Sequence, residues 1–313
     1  RSIMVNIRQI AKISGYSVSS VSRVINNHPY VSSETREKIL KVMKDLDYAP
    51  SIVAQELSSG NTYKIGVVIP HTRHPYFTQL LNGMMDAAQE SRYNLLLLPS
   101  QYDIDLEMSY LEQLRGHGFD HLIFTSRSVS LETIMSYTKY GNILCCEETN
   151  QSQLSSVYVD RTAASIEAFR WLQERNLDKI ALLFTRADKK SLTYRSILSA
   201  YKEVFQEKQP PLILDGIACE QDGYEVAQQL QKQPELTCIF TNGDDVAAGI
   251  SRYYQEKKLK LPCIIGQENL LVGRLMGIPT IDNKSYLLGR KCFQQAISTE
   301  KRTIVLQSEF IPR

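Results

Sequence analysis

Over the first sixty residues, apolar positions recur every three or four places, and no run of β-branched residues is long enough for a strand. Gly15, the stretch Asn26-Asn27-His28-Pro29 and the pair Ala49-Pro50 divide this part into short helices. Ile7, Ile10 and Ala11 share one face of a first helix, capped by Asn6. Gly15 supplies the positive φ that a tight turn between helices requires. Ser17 caps a second helix, on which Val18, Val21, Val24 and Ile25 are spaced for burial. A third helix begins at Ser32 or Ser33 and runs to Leu46, supported by the i,i+4 pairs Glu34 with Lys38 and Glu37 with Lys41. Ala11, Gly15 and Val21 stand at the spacing that two helices crossing closely around a short turn need.

From Lys64 the pattern changes. Short apolar runs at 65–70, 95–100, 121–125, 143–146, 157–160, 180–185, 212–215, 238–241 and 263–266 alternate with amphipathic stretches such as 77–91, 162–175, 191–206 and 244–256. Repeated strand-helix order predicts parallel sheets covered by helices. So much chain exceeds one sheet of five or six strands, so two α/β lobes are expected. The fold class is therefore α/β, with an N-terminal all-α helix-turn-helix headpiece over residues 1–50. Residues 51–63 form a short helix and a Ser-Gly-Asn linker, and a two-lobed α/β core fills 64–313. The segment 51–59 is shorter than the ~12–15 residues at which an isolated helix holds in water, so it needs a partner.

Composition narrows the class. The chain has 313 residues, 43% hydrophobic and 22% charged, an ordinary globular balance. No apolar run reaches the ~18–20 residues that span a bilayer, and no signal-peptide core is visible, so a cytoplasmic protein without membrane contact is expected. The six cysteines show no C-x-x-C spacing and read as buried free thiols in a reducing compartment. The net charge of +2 is uneven: residues 1–63 hold eight basic and five acidic side chains, net +3, which leaves −1 for the rest.

Catalytic patterns are missing. After the first core strand comes Pro70-His-Thr-Arg-His-Pro75 rather than a G-x-G-x-x-G. No phosphate-cradling G-x-x-x-x-G-K-[ST], no G-x-S-x-G elbow and no His/Cys cluster of metal spacing occurs. We expect no enzymatic activity, no cofactor and no metal. The outward face of the second helix, with Ser19, Ser20, Ser22 and Arg23, does carry information. Short polar groups let a helix sit deep in the DNA major groove, and an arginine can bond a guanine edge bidentately. The same residues also suit a solvated face on a three-helix cap.

A resemblance decides between these readings. Asn6-Ile-Arg-Gln-Ile-Ala-Lys, then Gly15-Tyr-Ser-Val-Ser-Ser-Val-Ser-Arg-Val-Ile-Asn26, closely resembles the N-terminal signature of LacI/GalR-type bacterial transcription regulators. The likeness continues through Val31-Ser-Ser-Glu-Thr-Arg-Glu-Lys-Ile-Leu40, Leu46-Asp-Tyr-Ala-Pro50 and Ala54-Gln-Glu-Leu57. In the core it includes Ile65-Gly-Val-Val-Ile-Pro70, Pro75-Tyr-Phe77, Asp244-Asp-Val-Ala-Ala-Gly249 and Ser308-Glu-Phe-Ile-Pro-Arg313. The family implies a repressor of carbohydrate-utilisation genes that binds double-stranded operator DNA as a homodimer. Its core is periplasmic-binding-protein-like, with a small sugar or sugar phosphate controlling DNA affinity from the cleft between lobes. By resemblance, Val18, Ser19 and Arg23 read bases, Ser17, Ser22 and Asn26 meet phosphates, and Asn6 also belongs to the DNA-binding set. Residues 51–59 match a hinge helix that folds on operator, with Leu57 wedged into the minor groove.

Ligands of open α/β sheets sit outside the carboxyl ends of the strands. That rule and the resemblance nominate His71, His74, Tyr76, Phe77, Asp160, Arg195, Asp244 and Glu268 for the effector. Arg195 follows Ser191 at the spacing where family members place an effector-binding arginine. Several have structural readings too: Phe77 as core, Asp160 and Asp244 as helix caps, His71 and His74 as surface polar groups, while Trp171 reads as packing. Ser51, Gly243 and the pair Gln267-Glu268 depart from residues common in relatives. The dimer interface is expected along the apolar positions of 77–88 and around 277–288, and no heptad follows that would build a tetramer. The alternatives are a regulator using a non-sugar corepressor, and a sugar-binding transport protein, which should carry a signal peptide and no helix-turn-helix.

Overall fold

A computed structural model describes residues 5–187, 191–206 and 210–313. The chain forms two compact units, residues 1–62 and 63–313.

The first unit holds α1 (Ile7–Ser14), α2 (Val18–Ile25), α3 (Ser33–Asp45) and α4 (Ile52–Ser59). Asn6 and Gln9 form a reciprocal capping box at α1, and Gly15 ends it at φ 76°. Ser17 and Ser32 cap α2 and α3, each accepting a backbone N–H. Ile10, Ala11, Val21, Val24 and Ile39 close a core around the three helices. By contrast, α4 buries nothing, and Ile52, Val53 and Leu57 are 68%, 72% and 86% exposed.

The second unit has two lobes. The first contains β1 (Lys64–Ile69), α5 (Pro75–Gln89), β2 (Asn94–Pro99), α6 (Ile104–Arg115), β3 (His121–Phe124), α7 (Leu131–Tyr137), β4 (Asn142–Cys145) and β5 (Ser155–Asp160). The chain then enters the second lobe through α8 (Thr162–Gln173), β6 (Ile180–Leu183), α9 (Leu192–Phe205), β7 (Leu212–Leu214) and α10 (Glu220–Leu230). That lobe continues with β8 (Cys238–Phe240), α11 (Asp244–Glu256), β9 (Cys263–Gln267), α12 (Leu271–Met276) and β10 (Thr280–Asp282). The chain returns to the first lobe for α13 (Ser285–Ala296) and β11 (Thr303–Gln307), and ends in the second with β12 (Glu309–Ile311).

The sheets run β11-β5-β4-β3-β1-β2 and β12-β10-β9-β8-β6-β7. Every pairing is parallel except β12 against β10. All nine apolar runs are strands; β10, β11 and β12 are additions that the apolar runs alone did not mark. In each sheet the strand order reverses beside the first strand, between β1 and β3 and between β6 and β8. Such switch points open a crevice at the carboxyl ends of the strands.

Helices α5 and α13 pack backbone against backbone. A Cβ on Gly83 would lie 2.0 Å from Tyr286 O, and one on Gly289 would lie 2.0 Å from Leu80 O. Most of the apolar positions of 77–88 are thereby taken up inside the lobe. Phe77, Leu80, Leu81, Met84 and Ala87 are buried within their own lobe, as is Leu288, because α13 covers them. Met85, Tyr286 and Leu287 remain exposed. Trp171 packs edge-on against Phe310 at 5.9 Å, as expected of a packing residue. All six cysteines are free; Cys145, Cys238 and Cys292 are buried.

Candidate functional site

In the headpiece, the site is the outward face of α2. Val21 and Val24 point into the core, which leaves Val18, Ser19 and Arg23 in solvent. The Arg23 side chain has no partner among the described residues, so its guanidinium is free to bond a ligand. Ser17 Oγ accepts Ser20 N (3.1 Å) and lies 2.8 Å from Ser19 Oγ, so the capping bond also orients a side chain of the exposed face. Asn26 Nδ2 donates to Ser22 Oγ at 3.4 Å, while the Asn6 side chain is committed to capping α1. Arg36 ties α3 to the segment after α2 by donating to Asn27 Oδ1 (2.8 Å) and His28 O (2.9 Å).

In the core, the crevices of the two sheets face one another across a cavity of about 920 Å³. Loops following β1, β2, β3, β4 and β5 supply one wall, and loops following β6, β8 and β9 with the start of α9 supply the other. His74, Tyr76, Phe77, Asp160, Arg195 and Glu268 line it. His71 and Asp244 do not, which corrects their place among the cleft residues. The His71 ring lies edge-on to Phe77 (5.2 Å) and Tyr102 (6.4 Å). Asp244 is fully buried, where its carboxylate accepts Thr280 Oγ1 and Leu270 N, both at 2.7 Å. It ties α11 to α12 and β10, and burial raises its pKa to about 6.

Three crossings join the lobes, after β5, after β10 and between β11 and β12. Arg161 connects them. It donates from Nε to Asn283 Oδ1 (3.2 Å) and from an Nη to Thr193 Oγ1, and its guanidinium lies 5.5 Å from the Tyr76 ring centre. Asn283 in turn donates to Glu268 Oε1 (2.6 Å), and Ser285 Oγ to Glu268 Oε2 (2.5 Å). Glu268 sits at φ 81°, a backbone conformation disfavoured for a side chain of this size and held by these bonds. Burial raises its pKa, and the nearby Arg161 charge opposes that rise. Ser308 N and Oγ both donate to Asp160 O (3.1 Å), which ties the third crossing to the first.

Further bonds cross directly between lobes. Arg73 pairs with Asp222 at 3.1 Å. His74 Nδ1 accepts Tyr76 N (3.1 Å), so the proton lies on Nε2, which donates to Asn242 O (2.9 Å). The ring is neutral, and burial lowers its pKa to about 4. Below the ordinary value near 6.5, the unfolded chain takes up a proton that the native ring refuses until about pH 4. Native stability from this group is therefore complete above pH 6.5 and declines as pH falls towards 4. Asp244 acts in the opposite sense, because its raised pKa lets the native state bind the proton first. A comparison with His74→Asn isolates the histidine. From pH 7.5 to 4.5, the wild type should lose roughly 2 kcal/mol relative to the variant in urea unfolding. Parallel pH profiles would remove the assignment.

Arg161, which follows Asp160 at the end of β5, also lines the cavity, as do Arg127, Glu147, Arg186 and Asn242, which the spacing did not nominate. The available signal was their position just after apolar runs, at strand carboxyl ends. Among the described residues, no group of three or more His, Cys, Asp or Glu is placed to hold a metal, and no helix is long and apolar enough to cross a membrane.

Comparison with known proteins agrees with both units. Residues 6–51 match the family model "Bacterial regulatory proteins, lacI family". Residues 62–305 match "Periplasmic binding proteins and sugar binding domain of LacI family". Catabolite control protein B of Bacillus subtilis (strain 168) is 36% identical over 308 residues, covering 98% of this chain and 99% of its own. The Lac repressor dimer bound to operator and the anti-inducer ONPF superposes with a TM-score of 0.81 at 19% identity, covering 99% of this chain and 98% of that one. A ribose-bound LacI family regulator from Enterococcus faecium gives 0.68 at 21% identity, over 80% and 97% of the two chains. With an exposed polar face on α2, a cavity between two α/β lobes and both family models matched, the chain belongs to the LacI family of DNA-binding bacterial transcription regulators.

Proposed function

We propose that this chain is a cytoplasmic repressor of carbohydrate-utilisation genes, without enzymatic activity, that binds a near-palindromic operator as a homodimer. A small sugar or sugar phosphate in the interlobe cavity would set its operator affinity. The observation that carries this reading is the placement of a polar cavity against the Arg161–Asn283–Glu268 network at the lobe crossings. A ligand that bonds both walls favours one lobe orientation, and only such a differential can move a regulatory equilibrium. The Lac repressor dimer on operator and the ribose-bound relative support the DNA and sugar parts of the reading.

In vitro selection from random duplex DNA tests it: the wild type should recover a near-palindrome whose binding responds to a cavity ligand. Arg23→Ala should lower operator affinity by about 1–3 kcal/mol and relax one base position in each half-site. A variant that selects an unchanged sequence would show that Arg23 reads no base. Recovery of no common sequence by the wild type would overturn the repressor reading.

A further inference from the structure

The chain joins the core at Tyr63, and the backbone there is unusual. Tyr63 sits at φ 52°, in the left-handed region that a bulky side chain rarely adopts. Its neighbours hold it there. Its N–H donates to Asp120 Oδ2 (2.9 Å), and its carbonyl accepts Asn94 N (2.9 Å). Its ring meets the Tyr93 ring edge-on, with centres 5.6 Å apart. Tyr93 in turn lies 5.2 Å from the His121 ring, with its hydroxyl 3.2 Å from His121 Nε2. Tyr93 and Asn94 stand at the start of β2, and Asp120 and His121 at the start of β3. Tyr63 is therefore fixed to three neighbouring strands, β3, β1 and β2, at the ends opposite the cavity. The segment before it is short and partly folded. Gly60, Asn61 and Thr62 separate α4 from Tyr63, a reach of ~10 Å when extended. Ser59 Oγ donates to Asn61 O (3.1 Å) and Asn61 Nδ2 to Ser59 O (3.2 Å), which keeps its first part from extending.

Resting on the reading of this chain as a homodimer on a near-palindromic operator, we propose that Tyr63 is the positioning residue that sets the spacing between operator half-sites. Each protomer tethers its headpiece and α4 to the core at this one anchor. The distance between the two anchors of a dimer therefore limits where two headpieces can meet one duplex. A base-pair step advances about 3.4 Å and turns roughly 35°. An anchor displaced by a few ångströms thus suits a different spacing. The ties from Tyr63 to Asp120, Asn94 and Tyr93 remove that freedom. They also give a use to a backbone conformation that glycine would adopt without strain. This role is separate from base reading, because it selects the separation of two half-sites and not the sequence of either.

Binding of the full chain to duplexes that carry the selected half-sites tests this, at the selected separation and with one or two base pairs added or removed. The wild type should bind the selected separation at least tenfold more tightly than one changed by a single base pair. Tyr63→Gly removes the ring and relieves the backbone, and Asp120→Ala removes the acceptor of the Tyr63 N–H. Each should cut that discrimination to threefold or less, while affinity for an isolated half-site and for random duplex stays within twofold of wild type. Tyr63→Phe keeps the ring and the backbone bonds and should keep the wild-type discrimination. A merely structural role would lower the melting temperature and reduce affinity by one factor at every separation, and that result overturns the proposal. Discrimination that survives in either loosened variant overturns it too, as does a Tyr63→Phe protein that behaves like Tyr63→Gly. A wild type that selects a near-palindrome but tolerates every separation overturns the anchor alone. One that selects no palindrome overturns the operator reading beneath it.

Discussion

Leu57→Ala should reduce affinity for the selected operator by about 2–3 kcal/mol, roughly 30- to 150-fold, and leave binding to random duplex DNA within a few-fold of wild type. Leu57 is 86% exposed, on a helix of eight residues that buries none of its side chains. An aliphatic row of Ile52, Val53 and Leu57 in water lowers no free energy in the free protein, so its use lies in a complex. By the family resemblance that use is a wedge between base pairs, which needs a deformable step at a fixed place and therefore acts on specific sites. Because nothing packs on Leu57, the variant should keep the wild-type melting temperature. This separates a loss of wedging from a loss of fold. Equal losses on operator and random DNA would overturn the wedge role.

Gly289→Ala should destabilise the core by about 3 kcal/mol, even though alanine is the better helix former by ~1 kcal/mol. A Cβ there would stand 2.0 Å from Leu80 O, and Met84 N is 3.1 Å away. Both are backbone atoms of α5, which cannot swing aside as a side-chain tip can. The helices must separate, opening the contacts of Leu80, Met84, Leu288 and Phe293. For a unit of about 250 residues this corresponds to a fall of roughly 6–12 °C in melting temperature. Gly83→Ala should behave alike, since its Cβ would stand 2.0 Å from Tyr286 O. Thermal unfolding of both variants checks this, and a melting temperature at or above wild type would show that the helices are not in contact there.

The headpiece was legible because its determinants are local. Asn6, Ser17 and Ser32 cap helices within three residues of themselves, and Gly15 ends a helix with its own φ. Apolar runs marked nine strands for a similar reason: most are buried on both faces and therefore apolar throughout, while the edge strand β2 is apolar yet largely exposed. The cavity was partly legible. Six of the nominated residues line it, because ligand-facing loops follow strand ends. His71 and Asp244 obey the same rule but turn away into packing and hydrogen bonds that no spacing reveals.

By itself, then, the sequence determined the caps, the periodicities, the alternation of strand and helix and which polar side chains α2 turns outward. These depend on interactions across a few residues. Tertiary structure alone decided that Tyr63 is held against the starts of β2 and β3, that Arg161 links the lobe crossings, and that α5 and α13 touch at two glycines. Those facts rest on contacts between residues far apart in the chain, such as Arg161 with Asn283 or Gly289 with Leu80, and no local pattern encodes such distances.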